Sequence, residues 1–109
     1  MAGFTQIIEF RTSRIDEIRA MNDEWRQSHP EIGPMRITVT ADRDRPQTYV
    51  SLVEFASYEE AMRNSEDPAT GEWAGRMAAM CDGEPEFRNL DVVMQEVRLD
   101  QPGGVRTDA

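Results

Sequence analysis

Polar and apolar residues alternate along several stretches of the chain and recur at helical spacing along others. In residues 4–12, Phe4, Ile8 and Phe10 fall on one face with Gln6 among them, and Thr5, Ile7, Glu9 and Arg11 fall on the other. This period of two predicts a strand. Helical spacing follows, with Ile15, Ile18, Met21 or Asn22, and Trp25 three or four residues apart. Ser13, with Asp16 three positions later, is a short form of the capping box, so the helix is expected to start at Ser13. Pro30, Gly33 and Pro34 end it. Residues 35–41 alternate again: Met35, Ile37, Val39 and Ala41 share one face, Arg36, Thr38 and Thr40 the other. The charged turn Asp42-Arg43-Asp44-Arg45-Pro46 leads into a third strand over residues 48–55, so the two strands form a hairpin centred near Arg45.

The second half is helical first. Ser57-Tyr58-Glu59-Glu60 is a capping box. Asp67-Pro68 then restarts the helix, with aspartate as cap and proline at the first helical position. Trp73, Met77 and Met80 repeat along one face, and Asp82-Gly83 closes the element. Residues 90–99 are expected to be the last strand. Residues 1–99 form one domain on this reading, and 100–109 a frayed tail.

The order is βαββαβ. Four strands and two helical stretches make one antiparallel sheet with the helices on one face, an α+β ferredoxin-like arrangement. Its other face then carries Ile7, Val50 and Leu52, with Val93 and Val97 expected beside them. An uncovered apolar patch of this kind marks an interface, and two sheets packed face to face would cover it. A homodimer is therefore expected.

Composition narrows the chemistry. The formal net charge is −9 over 109 residues, which argues against a nucleic-acid partner and against anionic membranes. All twelve basic residues are arginine. Lysine chemistry, whether Schiff base, general base or P-loop, is thereby excluded. The single Cys81 permits no intrachain disulfide and makes a reducing, cytoplasmic setting the default. Its position late in a helix, followed by Asp82 and Glu84, keeps the thiol protonated and inert. The single His29 cannot make a two-histidine metal site within the chain. The first residues lack the basic region of a signal peptide, and no apolar run reaches transmembrane length. Gly71, Gly75 and Gly83 form no phosphate-binding pattern, and Asp82, Glu84 and Glu86 do not make a calcium loop.

The element order across residues 4–99, and the passage Val53-Glu54-Phe55-Ala56-Ser57-Tyr58-Glu59-Glu60-Ala61 from third strand to second helix, resemble the dimeric α/β-barrel superfamily. Within it the chain is similar to the antibiotic-biosynthesis monooxygenases. These motifs are structural, so the resemblance speaks to fold more than to activity. It implies ligands held between sheet and helices or inside the barrel. Its members include cofactor-free oxygenases, haem enzymes, isomerases and proteins without known activity. Haem-binding relatives take a histidine from the second helical region, and haem-degrading ones join an asparagine, a tryptophan and a histidine. Here Trp73 can match the tryptophan, but neither partner accompanies it. The resemblance therefore weighs against haem, and no cofactor or metal is expected.

Each candidate constellation has a plain structural reading beside the functional one. Glu9 and Glu54 suggest a carboxylate pair, but antiparallel neighbouring strands would put them toward opposite ends of the sheet. Arg36 is the better partner for Glu54, next to Thr38, either ordering the sheet or giving a pocket its polar lining. His29 sits where the first helix ends, placed to bond a terminal carbonyl or to shuttle protons. Trp25, Trp73, Met77 and Met80 make a core stripe or line an apolar pocket. The substrate-binding candidates are His29, Arg36, Thr38, Glu54 and Trp73, with no catalytic residue assigned. Two functions stay open: a cofactor-independent, oxygenase-like or isomerase-like enzyme on a small apolar organic substrate, or a ligand-binding or structural dimer without turnover.

Overall fold

The computed structural model describes residues 3–30 and 33–98. Its elements run β1 (Phe4–Arg11), α1 (Ile15–Ser28), β2 (Arg36–Ala41), β3 (Thr48–Phe55), α2 (Tyr58–Glu66), α3 (Pro68–Ala79) and β4 (Glu86–Asp91). The strands form one sheet in the order β2-β3-β1-β4, and every pairing is antiparallel. This is the ferredoxin-like α+β arrangement that the alternating pattern predicts. No helix among the described residues is long and apolar enough to cross a membrane.

The hairpin register is as expected. Arg36 pairs with Glu54, Thr38 with Leu52 and Thr40 with Val50. Because side chains alternate, the register fixes two faces. Phe4, Ile8 and Phe10 of β1 share the helix-covered face with Val53 and Phe55 of β3, and all are buried. Ile18 and Met21 of α1, Ala61 of α2 and Met77 of α3 complete the core. The opposite face carries Ile7, Val50 and Leu52, as expected, among Thr5, Glu9, Arg36, Thr38 and Glu54.

Two boundaries differ from the sequence expectation. The last strand is Glu86–Asp91, not 90–99. Pairing decides this: β4 runs from Glu86 opposite Glu9 to Asp91 opposite Phe4, where β1 begins. One further bond, from the Val92 N–H to the Gly3 carbonyl at 2.9 Å, closes the ladder. Beyond it no strand among the described residues is left to pair with. Val93 and Val97 therefore do not join Ile7 on the open face, and both are largely exposed; Leu90 takes that place. Leu99 and the expected tail 100–109 lie outside the described residues.

The first helix starts at Ile15 rather than Ser13. Thr12 is the reason. Its hydroxyl accepts from the Arg14 N–H at 2.9 Å and donates to the Met80 carbonyl at 2.6 Å. Its own N–H donates to the Gln47 carbonyl at 3.0 Å. One fully buried threonine thus joins the end of β1, the start of α1, the end of α3 and the hairpin, and Ser13 stays exposed.

The other caps form as read. Ser57 accepts from the Glu60 N–H at 3.1 Å. Asp67 ends α2 in an extended conformation and caps α3, accepting from the Ala69 N–H at 2.8 Å. Gly33 has φ of +105°, and a Cβ there would lie 3.0 Å from Arg26 Nη1 and 3.3 Å from Trp25 Cζ3. Both the backbone angle and the space call for glycine.

Candidate functional site

A cavity of about 350 Å³ lies between the sheet and the helices. Its floor is the helix-facing side of the sheet, where Gln6 and Ile8 of β1 meet Ser51 and Val53 of β3. Val39 of β2 and Phe87 of β4 bound it toward the two sheet edges. Ile18, Asn22 and Trp25 of α1 form one wall. The α2–α3 corner forms another, with Asn64, Thr70 and Trp73. The extended residue at Asp67 makes that corner, and Thr70 donates across it to Asn64 Oδ1 at 3.3 Å. The restart encoded by Asp67-Pro68 therefore shapes a cavity wall.

The lining is mainly aliphatic and aromatic, and the volume falls in the range of small-molecule sites. Among the described residues its only ionisable side chains are the exposed Arg19 and Asp23. Both tryptophans of the chain line it. Each indole N–H is buried and has no acceptor among the described residues. A buried donor without a partner costs about 1–3 kcal/mol. With almost no accessible surface, both N–H groups lie inside the walls, and the rings present their apolar parts to the cavity.

The five sequence-derived candidates do not converge. Trp73 lines the cavity. His29 lies behind the opposite wall: its ring stacks on Trp25 with centroids 4.6 Å apart and planes at 20°. His29 Nδ1 is 3.0 Å from the Trp25 carbonyl oxygen, which can only accept, so Nδ1 carries the hydrogen in this contact. Arg36, Thr38 and Glu54 lie on the other face of the sheet. Arg36 reaches Glu54 as a two-toothed fork, Nε to Oε2 at 2.9 Å and Nη2 to Oε1 at 3.0 Å. The Glu54 hydrogen bond and charge raise the Arg36 pKa above its ordinary value. Glu9 stands opposite Val50 while Glu54 stands opposite Thr5, so they are not a dyad. Glu9 instead meets Arg45 at 3.5 Å and Arg88 at 3.9 Å.

A second hollow, about 420 Å³, lies at the end of the sheet beside Met35, Glu54 and Val93. No helix residue lines it, and Met35 and Val93 are exposed. Cys81 touches neither hollow. Burial first, and then the Asp82 charge, push its thiol pKa up. Its Sγ–H donates to the Met77 carbonyl at 3.3 Å.

The candidates omit Ser51 and Asn64 and leave Gln6 as a bystander. A signal for the two strand residues exists: each is a polar residue at a core-facing position of a strand, Ser51 between Tyr49 and Val53, and Gln6 between Phe4 and Ile8.

No protein-family model and no curated protein sequence matches the chain. Solved structures do. SnoaB, a cofactor-independent oxygenase from Streptomyces nogalater, superposes with a TM-score of 0.69 at 16% identity, covering 93% of this chain and 100% of that one. A Caulobacter crescentus CB15 protein classed with the antibiotic biosynthesis monooxygenases gives 0.70 at 14% identity, covering 85% and 92%. A conserved protein from Methanosarcina mazei Go1 gives 0.70 at 12% identity, covering 83% and 92%. The chain thus shares the ferredoxin-like fold of antibiotic-biosynthesis-monooxygenase-like proteins, as the sequence resemblance implies.

Proposed function

We propose that the cavity between sheet and helices binds a flat, largely apolar organic molecule, and that the chain is a cofactor-independent, monooxygenase-like enzyme acting on it. The observation that carries this reading is a cavity of about 350 Å³ with a mainly apolar lining that includes both tryptophans and the polar side chains of Gln6, Asn22, Ser51 and Asn64. The likeness to SnoaB, a cofactor-independent oxygenase, supports it at the level of fold.

The lining limits the chemistry. Among the described residues no histidine or carboxylate stands inside to take a proton, since Asp23 is at the exposed rim. Catalysis would come from preorganised neutral donors. The amide N–H groups of Gln6, Asn22 and Asn64 can stabilise negative charge as it develops on an oxygen of an uncharged ligand. In oxygenation without a cofactor, the substrate itself must supply the electrons to dioxygen. Such a substrate binds uncharged and gives up its proton to solvent water as it is oxidised.

The same lack of a base favours a second reading, a binding protein without turnover. One experiment separates the two. Flat polycyclic ketones, phenols and quinones, with haem alongside, are screened by thermal shift, and each stabilising compound is then assayed for oxygen consumption. A ligand present at a hundred times its Kd adds about 2.7 kcal/mol of apparent stability. Stabilisation with oxygen uptake supports the enzyme, and stabilisation without it the binder. No stabilisation by any compound would sink both.

We further propose a homodimer formed through the open sheet face. Its support is apolar and electrostatic. Ile7, Val50 and Leu52 lie there only partly buried, and Leu90 is exposed. Two chains of net charge −9 repel each other in general. This face does not share the acidic excess: Arg36 balances Glu54, Arg45 and Arg88 face Glu9, and Arg11 offsets Glu86.

A further inference from the structure

The described residues bury a small set of polar side chains, Thr12, Thr48 and Ser51. Buried hydroxyls in proteins are almost always partnered. Thr12 bonds the Met80 carbonyl and the Arg14 N–H, and Thr48 donates to the Pro46 carbonyl at 3.3 Å. Ser51 differs. It is 7% exposed, and its hydroxyl has no hydrogen-bond partner among the described residues. It stands on the cavity floor, opposite Ile8 on β1 and Val39 on β2.

The fold does not require a hydroxyl there. Tyr49, Val53 and Phe55 occupy the equivalent positions of β3, and alanine or valine would satisfy the core. The nearest polar neighbour on the floor is Gln6, on the same face of β1 and two positions from the Ser51 pairing. One N–H of its amide is held by Asn89 Oδ1 at 3.0 Å, which fixes the amide and leaves its oxygen and second N–H uncommitted. The floor therefore presents a small polar spot, with a hydroxyl that both donates and accepts, inside apolar walls.

We propose that Ser51, supported by Gln6, is the anchor of the cavity: it takes a hydroxyl or carbonyl oxygen of an uncharged, largely apolar ligand and sets which way round the ligand lies. This rests on the reading of the cavity as a ligand site and adds the residue that selects among ligands. An uncharged ligand follows from the lining. Among the described residues no cation faces the floor, Arg19 being exposed at the rim, so a carboxylate would be buried without a counter-charge.

The test compares naphthalene, 2-naphthol and 2-naphthoate by equilibrium dialysis at neutral pH. The native chain is expected to bind 2-naphthol roughly 3- to 10-fold more tightly than naphthalene, and 2-naphthoate more weakly than either. Ser51→Ala should bring 2-naphthol down to the affinity of naphthalene and leave naphthalene unchanged. Ser51→Thr, which keeps a hydroxyl, should retain the preference. Unchanged far-UV circular dichroism and urea midpoints show that the variants fold. Equal binding of naphthalene and 2-naphthol by the native chain would overturn the anchor while leaving the cavity reading intact. So would a preference that survives Ser51→Ala. Binding of none of the three would overturn the cavity reading and the anchor together.

Discussion

At the scale of single residues, a few side chains decide whether elements meet and whether a cavity can exist. Thr12 is the clearest case. Thr12→Val keeps the shape but strips both the Met80 carbonyl and the Arg14 N–H of their partner. The expected loss is about 1–3 kcal/mol in urea unfolding, for two buried groups left unpaired. Gly33→Ala forces a side chain into the left-handed region and against the Trp25 ring. It should cost at least about 1 kcal/mol and also shift tryptophan emission, because the ring it displaces lines the cavity. Cys81 should react slowly with thiol reagents in the folded chain and fast once unfolded, since burial and Asp82 hold it as the thiol.

At the scale of elements, what was legible in the sequence and what was not have physical reasons. The hairpin register could be read because Met35, Ile37 and Val39 alternate strictly with Arg36, Thr38 and Thr40, and a slip of one residue would turn every apolar side chain to the wrong face. The α2–α3 corner could be read because Asp67-Pro68 is a strong local signal. The last strand could not. Glu86–Asp91 is polar along most of its length, with Phe87 and Leu90 on opposite faces. Its place is set by β1, a non-local partner, while the more apolar run after it extends past the start of β1 and joins no strand ladder among the described residues. The turn before β3 also makes a pH prediction. Asp42 accepts from the Asp44 N–H at 2.9 Å and from Arg45 Nε at 2.8 Å. The Asp44 N–H first, and the Arg45 guanidinium next, hold its carboxyl below the usual range. The folded pKa lies under the unfolded one, so its stabilisation is present above the unfolded value, about 4, and disappears as pH falls through the folded value. Asp42→Asn should be less stable than the native chain at pH 7 and should show a smaller further loss on acidification, as read from urea midpoints.

At the scale of the whole molecule, the sheet has two unequal faces. The helix-covered face encloses a cavity, and the open face carries paired charges around an apolar patch. Of the candidate site, Trp73 was legible because an aromatic stripe falls at helical spacing beside a helix restart. The cavity itself was not, because a void depends on how far the helices stand off the sheet, and no run of residues encodes that distance. Arg36, Thr38 and Glu54 drew attention as polar residues in a sheet, and they lie on its open face, away from the cavity. Light scattering at micromolar concentration should give twice the chain mass. Leu52→Asp, which places a charge in the centre of that face, should give the monomer. A native chain that stays monomeric there would remove the dimer.

The cavity can be interrogated directly because the only two tryptophans of the chain form its walls. Titration with 9-fluorenone, a flat tricyclic ketone, followed by tryptophan emission, measures occupancy. The account predicts saturable quenching with one molecule per chain, lost when Ala74→Phe places a ring in the space. Quenching that rises linearly without saturation, or that is unchanged in Ala74→Phe, would contradict it.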